Sequence, residues 1–358
     1  MDASARREPS FPASLVVVAQ QVEARIDALL VAELERWSAV DPSLTAPLTE
    51  LRRFVGAGGK RLRPAFCHCA YVGAGGDPDS AQVIDAAAAL ELIHTFALVH
   101  DDVMDGSDTR RGRAAVHRRF AAEHASAQWR SEPRRFGDGM AILVGDFAFV
   151  YADLLMRGAS AEALDVFDAL RVELCVGQSL DLQSTARGST DAGVAARIAR
   201  YKSAKYTVER PLHLGAALAG RLDELVDPLS ALGLPLGAAF QLRDDVLGAF
   251  GDSDVTGKPV GDDLREGKTT PLVALAAERG DDADRELLRA RLGAADFGPG
   301  DVAALQDVLV RTGALKEVEL QIERLVGEAH RALAATPLNL VARERLAELA
   351  DYVAWRDH

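Results

Sequence analysis

The spacing of apolar residues constrains this chain more than any other feature. Apolar side chains recur three and four positions apart over long windows, as in Val22, Ile26, Leu29 and Leu30, and again in Leu92, Ile93, Phe96, Leu98 and Val99. That is the period of a helix with one buried face, and sustained alternation of period two is missing. Helix breakers fall between the windows: Asp41-Pro42, Gly75-Gly76-Asp77-Pro78, Gly188, Asp227-Pro228, Gly298-Pro299-Gly300 and Thr336-Pro337. Reading between them gives about ten to thirteen helices, many longer than the usual length of about eleven residues. The fold class is therefore all-α. Alanine clusters at Ala86 to Ala89 and at Ala216-Ala217 suit close helix approach in one large bundle. No fixed-period repeat and no long linker divides the chain, so one domain over residues 1–358 is expected, with residues 1–14 flexible.

Charge narrows the function. With 41 basic against 54 acidic residues the net charge is −13, which disfavours sequence-independent binding to nucleic acid or anionic lipid. An anionic ligand must then be held by a local basic pocket or through metal ions. Cys67, Cys69 and Cys175 are too few for a disulfide framework and read as reduced, mostly buried thiols. No run of about 18 uninterrupted apolar residues and no leader-like N-terminus is apparent, so no integral membrane segment is expected and the location reads as cytoplasmic.

Three segments do not read as plain helix surface. Gly56 to Pro64 is a glycine-rich turn leading into bases; 129–139 mixes arginines, Pro133 and two glycines and reads as a surface insertion; Gly251 to Thr270 is a polar loop holding Lys258 and Lys268. Between them lie two acidic motifs. In His100-Asp101-Asp102-Val103-Met104-Asp105 the carboxylates fall at about 0°, 100° and 40° around a helix, sharing one face that continues an apolar stretch. Like charges gathered there destabilise the helix unless cations neutralise them, and hard oxygen ligands favour Mg²⁺. A solvated acidic face is the plain alternative for one such motif. A second, Phe240-Gln241-Leu242-Arg243-Asp244-Asp245, about 140 residues downstream, weakens that alternative. Two such helices facing each other would clamp metal ions against a departing diphosphate. Bases recur beside both: Lys60, Arg61, Arg63, Arg110, Arg111, Lys202, Lys258 and Lys268. Arginine forks suit bidentate phosphate binding and lysines act as point charges.

With these residues in order, the chain resembles the trans-isoprenyl diphosphate synthases of the polyprenyl synthetase family, of the short-chain type. The resemblance rests on Gly58 to Pro64, His94 to Gly112, Gly177 to Asp181, Tyr201-Lys202-Ser203, Phe240 to Gly251, Gly257-Lys258 and Asp263 to Thr269, and covers roughly residues 50 to 280. It implies an all-α bundle around a central cavity, usually a homodimer, that condenses isopentenyl diphosphate with an allylic diphosphate through Mg²⁺-assisted ionisation, attack and proton loss. About three ions per site would be bound with substrate. Asp101, Asp105 and Asp244 would be metal ligands, supported by Asp102 and Asp245. Arg110, Lys202 and Lys258 would hold the allylic diphosphate, and Lys60, Arg63, His94 and Arg111 the isopentenyl diphosphate. Gln178, Asp181, Ser203 and Gln241 would line the reacting centre, with Lys268 in a closing loop. Gly248 stands where the family's second motif usually has a third aspartate, which puts the ordering of metal-bound water in question.

Phe96, five residues before Asp101, and the small Ala97 would floor the cavity. In similar enzymes a lone aromatic there points to geranylgeranyl diphosphate. Farnesyl or longer synthases, a terpene cyclase and a non-catalytic partner subunit remain alternatives at this stage. The basic group around Lys60, Arg63 and Arg111 argues against the cyclase, which needs no second diphosphate site.

Overall fold

A computed structural model describes residues 12–189, 191–251 and 260–356. The described residues are helical almost throughout. The first half runs through α1 (Ala13–Ser38), a 3-10 turn (Pro42–Thr45), α2 (Ala46–Val55), α3 (Leu62–Gly73), α4 (Ala81–Asp105), α5 (Val116–Ser126) and α6 (Pro133–Met156). It continues with α7 (Ala161–Arg187), α8 (Ala192–Ile198), a π-helical stretch (Ala199–Glu209), α9 (Arg210–Leu218) and α10 (Leu222–Phe250). Among the described residues beyond it lie α11 (Asp262–Arg265), α12 (Pro271–Arg279), α13 (Asp282–Arg291), α14 (Pro299–Arg311), α15 (Ala314–Ala335) and α16 (Leu340–Trp355). A two-residue antiparallel pair, β1 (Thr109–Arg110) with β2 (Arg113–Ala114), turns the chain just after α4. Of the segment 129–139, the residues from Pro133 onward form the first turns of α6, with Pro133 at a position where its missing N–H costs nothing.

Local chemistry sets most boundaries. Ser160, Asp191, Thr270 and Asn339 each accept a hydrogen bond from a first-turn N–H, capping α7, α8, α12 and α16. Asp227-Pro228 does not break the chain as its composition suggests; α10 runs straight through Pro228 and Pro235. Each proline removes one intrahelical bond at a cost of roughly 3 kcal/mol. Leu225, Leu229, Leu232 and Leu236 on one face are all fully buried, and burial at about 1.5–3 kcal/mol each outweighs that cost.

α4 packs antiparallel to α6, with Gln82 reaching Gly158 just beyond α6, Phe96 against Phe149 and His100 on the Ile142 carbonyl, and α10 packs on the π-helical stretch and α15. Glycines set how closely the π-helical stretch is held. A Cβ on Gly177 of α7 would sit 2.5 Å from the Lys202 backbone nitrogen, and one on Gly237 of α10 would sit 2.5 Å from the Ala204 Cα. Single π-turns in otherwise regular helices re-aim side chains at functional sites, and this one turns Lys202, Ser203 and Thr207 toward α4, α10 and α3. α4, α6 and α10 are each long and apolar enough to cross a membrane by length and composition, and 61%, 44% and 44% of their most apolar windows lie inside the bundle.

Gly237→Ala is expected to lower unfolding free energy in a urea titration by about 1–3 kcal/mol, because backbone must shift to admit the methyl. Gly139→Ala, on a face of α6 with nothing within 4 Å, should raise it by about 0.5–1 kcal/mol.

Candidate active site

The C-terminal end of a helix carries partial negative charge, so carboxylates there are doubly disfavoured. α4 nevertheless ends in Asp101, Asp102 and Asp105, closed by Gly106 in the left-handed conformation (φ 71°). Each acid is met by a base from another element. Lys202 Nζ lies 3.1 Å from Asp101 and 2.7 Å from Asp181 of α7. Lys268 Nζ lies 3.5 Å from Asp105 and 3.7 Å from Asp263, and also pairs with Glu266. The three aspartates do not share one face. Asp101 and Asp105 turn toward the lysines, whereas Asp102, a further 100° round the helix, is fully buried and takes the Arg110 guanidinium, with Nε 2.9 Å away.

The opposing row comes from α10. Asp244 and Asp101 line the same two cavities, one of about 780 Å³ and a smaller polar one of about 360 Å³. Asp245 lies behind Asp244, fully buried, accepting from Gln241 Nε2 at 2.6 Å, while Gln241 Oε1 accepts from Ser203. Burial, with Asp263 and Asp244 adding to it against the Gln241 hydrogen bond, pushes the Asp245 carboxyl well above the usual range. Asp105 rises to about 6, first from burial and then from Asp101. Asp101 is also raised by burial, but Lys202, Lys268 and Arg110 together hold it below its ordinary value.

The space beside Gly248 is taken by another acid. A Cβ on Gly248 would lie 1.9 Å from Asp263 Oδ2, so the carboxylate that α10 lacks at this turn is delivered by α11 instead.

The donor set suits a hard divalent cation: carboxylate oxygens on two facing helices, with Asp105 Oδ2 buried and lacking a hydrogen-bond partner. Among the described residues no three acidic, His or Cys side chains converge into a finished cage.

The other side of the large cavity is basic. Gly58 (φ 90°) and Gly59 (φ 154°) turn the chain so that Lys60 to Arg63 enter α3 at its N-terminus, and Arg61 itself adopts φ 49°, a conformation costly for a side-chain-bearing residue. Arg61 is held by Glu91, by Glu23 at 3.1 Å and by the Val55 carbonyl. Arg63 lies over Tyr206 at 4.2 Å, donates to Thr207 at 2.8 Å and keeps its Nε buried without a partner. Arg111 reaches back to the Gly58 carbonyl. Burial, then Arg63 and Arg111, drives His94 well below its ordinary value, so it is neutral. Lys60 falls to about 8 through burial and the charge of Arg356, against the pull of Asp244. Cationic groups pressed together in this way leave positive charge that an anion would relieve.

Below both rows the large cavity turns apolar, with Phe96, Ala97, Leu98, Leu174, Leu182 and Phe240 along its wall. Gln178 lines it too, donating to the Met104 sulfur at 3.6 Å, as does the exposed Cys175; Cys67 and Cys69 are buried in the core. Lys258 lies outside the described residues.

Sequence reasoning missed Arg356. This residue, just past α16, pairs with Asp244 and lies over Phe240 at 4.2 Å, 3% exposed. A single arginine near the C-terminus carries no local pattern that would have singled it out. Asp263 and Glu266 were within a motif already noted, but nothing in spacing indicated that they meet Gly248 and Lys268.

An all-α bundle in which acidic, basic and apolar side chains line one cavity fits a class of enzymes that act on diphosphates with hydrocarbon tails. The sequence profile of the polyprenyl synthetase family matches residues 46–309, and the chain belongs to that family of prenyltransferases. The short chain isoprenyl diphosphate synthase of Methanothermobacter thermautotrophicus is 36% identical over 324 residues, covering 87% of this chain and 92% of its own. The nonaprenyl diphosphate synthase of Mycobacterium tuberculosis is 31% identical, covering 93% and 92%. Geranylgeranyl pyrophosphate synthase of Corynebacterium glutamicum, solved with isoprenyl diphosphate and magnesium, superposes with a TM-score of 0.85 at 38% identity over 93% of this chain and 98% of that one.

Inorganic diphosphate is expected to distinguish the two sides by isothermal titration. In EDTA it should bind one site, weakened by roughly 2–5 kcal/mol in Arg63→Ala or Arg111→Ala, since a buried cationic partner is lost. With Mg²⁺ a second site should appear that Asp101→Ala removes and Arg63→Ala leaves in place.

Proposed function

We propose that the protein extends an allylic diphosphate with isopentenyl diphosphate, head to tail, and stops at geranylgeranyl diphosphate. The observation that carries this reading is that one cavity is lined by the acids Asp101 and Asp244, by the bases Lys60, Arg63 and Arg111, and by apolar side chains that include Phe96. Asp101, Asp105 and Asp244 would hold about three Mg²⁺ ions together with the allylic diphosphate, and the bound ions supply charge neutralisation of the leaving group. Arg110, Lys202 and Lys268 line the polar cavity beside these acids and would grip the same diphosphate directly. Lys258 belongs to this group by resemblance alone. Lys60, Arg63 and Arg111, with neutral His94, would hold isopentenyl diphosphate without metal, its double bond aimed at the allylic carbon. Asp102 keeps Arg110 in place, and Asp245, through Gln241, keeps Ser203 beside the reacting centre. The shaft excludes water from the cation that forms when the C–O bond breaks.

The apolar shaft supports transfer to a growing chain, and the metal-free basic cradle supports a second diphosphate, which a cyclase does not use. Exposed Ile142, Leu143 and Val150 of α6 and Val172 and Val176 of α7 support a homodimer through these helices. The apolar lengths of α4, α6 and α10 are spent on the bundle, the cavity wall and this face, which supports a cytoplasmic enzyme without a membrane span.

Purified protein given Mg²⁺, isopentenyl diphosphate and either dimethylallyl, geranyl or farnesyl diphosphate is expected to accumulate geranylgeranyl diphosphate, read by sizing of dephosphorylated products. Farnesyl as the end product, or geranylfarnesyl and longer, would reject the assigned length; a hydrocarbon made without isopentenyl diphosphate would reject chain elongation.

Lys60 gives a pH signature. Its ammonium is charged below about 8 and neutral above, and the diphosphate needs the charged form, so kcat/KM for isopentenyl diphosphate should fall as pH rises through about 8. Lys60→Arg, charged at every working pH, should remove that limb.

A further inference from the structure

Phe96 can stop a growing chain only if its ring cannot swing aside, and the cavity itself does not hold it. The ring packs edge-on against two others: His100, with centroids 4.6 Å apart and planes at 62°, and Phe149 of α6, at 5.1 Å and 66°. His100 is fixed in turn: its Nε2 donates to the Ile142 carbonyl at 2.9 Å, and its ring fills the space beside Gly145, where a Cβ would lie 2.3 Å from it. Phe149 is not among the residues lining the cavity. It is braced from behind by Arg171 of α7, whose guanidinium lies 4.8 Å from the Phe149 ring centre and 4.5 Å from that of Phe167. Arg171 is tied to Asp153 of α6 at 2.6 Å and to Asp168 of α7. Arg171 thus ties Phe149 to Phe167, Asp153 and Asp168 between α6 and α7.

We propose that the cavity floor has two layers, with Phe149 a specificity-determining positioning residue that sets product length by fixing Phe96 although it never meets the substrate. This rests on the reading of Phe96 as the stop. Removing the ring of Phe149, itself half-buried, takes away the edge contact that Phe96 makes with it and opens space at that side. Phe96 would rotate into that space, and the shaft would gain room for about one isoprene unit.

The test compares product distributions from farnesyl and isopentenyl diphosphates. Phe96→Ala is the reference: no lengthening there removes the stop itself, and with it the basis of the two-layer floor. With Phe96→Ala lengthening the product, Phe149→Ala is expected to shift the main product upward by about one isoprene unit while consumption of farnesyl diphosphate continues. Phe149→Tyr, which keeps the ring, should retain the parental product. Phe147→Ala should also retain it, since Phe147 stacks on Tyr151. Should Phe149→Ala not fold, Phe149→Leu, which keeps bulk without the ring edge, is expected to give a mixture of parental and longer products. Parental product alone from Phe149→Ala or Phe149→Leu, or equal lengthening by Phe147→Ala, would overturn the proposal.

Discussion

The structure depends on charges that are brought together before anything neutralises them fully. Acids from α4 and α10 meet on one side of a cavity, and bases from the Gly58–Pro64 turn and the segment after α4 meet on the other. Burial, with like charge adding to it, disfavours the charged form of each: Asp105 is pushed up to about 6 by burial and then by Asp101, and Lys60 down to about 8 by burial and then by Arg356. Such a site is built to be completed by ligands of the opposite sign, because interactions already strained apart gain most when a cation enters one side and a diphosphate the other. The internal pairs, Lys202 with Asp101, Lys268 with Asp105 and Arg356 with Asp244, are counter-ions that hold the acidic row together.

The all-α scaffold is what allows this separation. Neither row could be assembled from one helix, since Asp101, Asp105 and Asp102 already diverge around α4. The π-helical stretch supplies the missing reach. Clasped by Gly177 and Gly237, it sends Lys202 to the acidic side and Thr207 to Arg63 on the basic side, so one distorted element ties both halves of the site together. Its own base, Lys205, pairs with Glu173 and Glu209 at 2.7 and 3.1 Å, and Arg210 makes a two-pronged pair with the same Glu173. A buried network of this kind resists rearrangement.

Where the sequence is periodic, the all-α class was read correctly, since helix amphipathicity is a local pattern with a fixed geometric meaning. Helical geometry even contained the divergence of Asp102, because 100° of rotation separates it from Asp101; treating the triplet as one face overlooked that. Asp227-Pro228 misled because proline's cost is local, whereas the leucines that outweigh it are buried by contacts distant in sequence. Arg356 was invisible for the same reason: it lies 112 residues from Asp244, and nothing in its neighbours marks it.

Gly248 carries the broadest lesson about site chemistry. Read along the chain, it is a missing carboxylate. In space, the absence of a side chain is what admits Asp263 to that position, and the residues just after α11 bring Lys268, paired with Glu266, to Asp105. The acidic row is therefore carried by the single turn of α11 as well as by α4 and α10, and the part at position 248 is filled by a contact between residues apart in sequence. Restoring an acid at position 248 would not add to this arrangement, because its Cβ would occupy the space where the Asp263 carboxylate now lies.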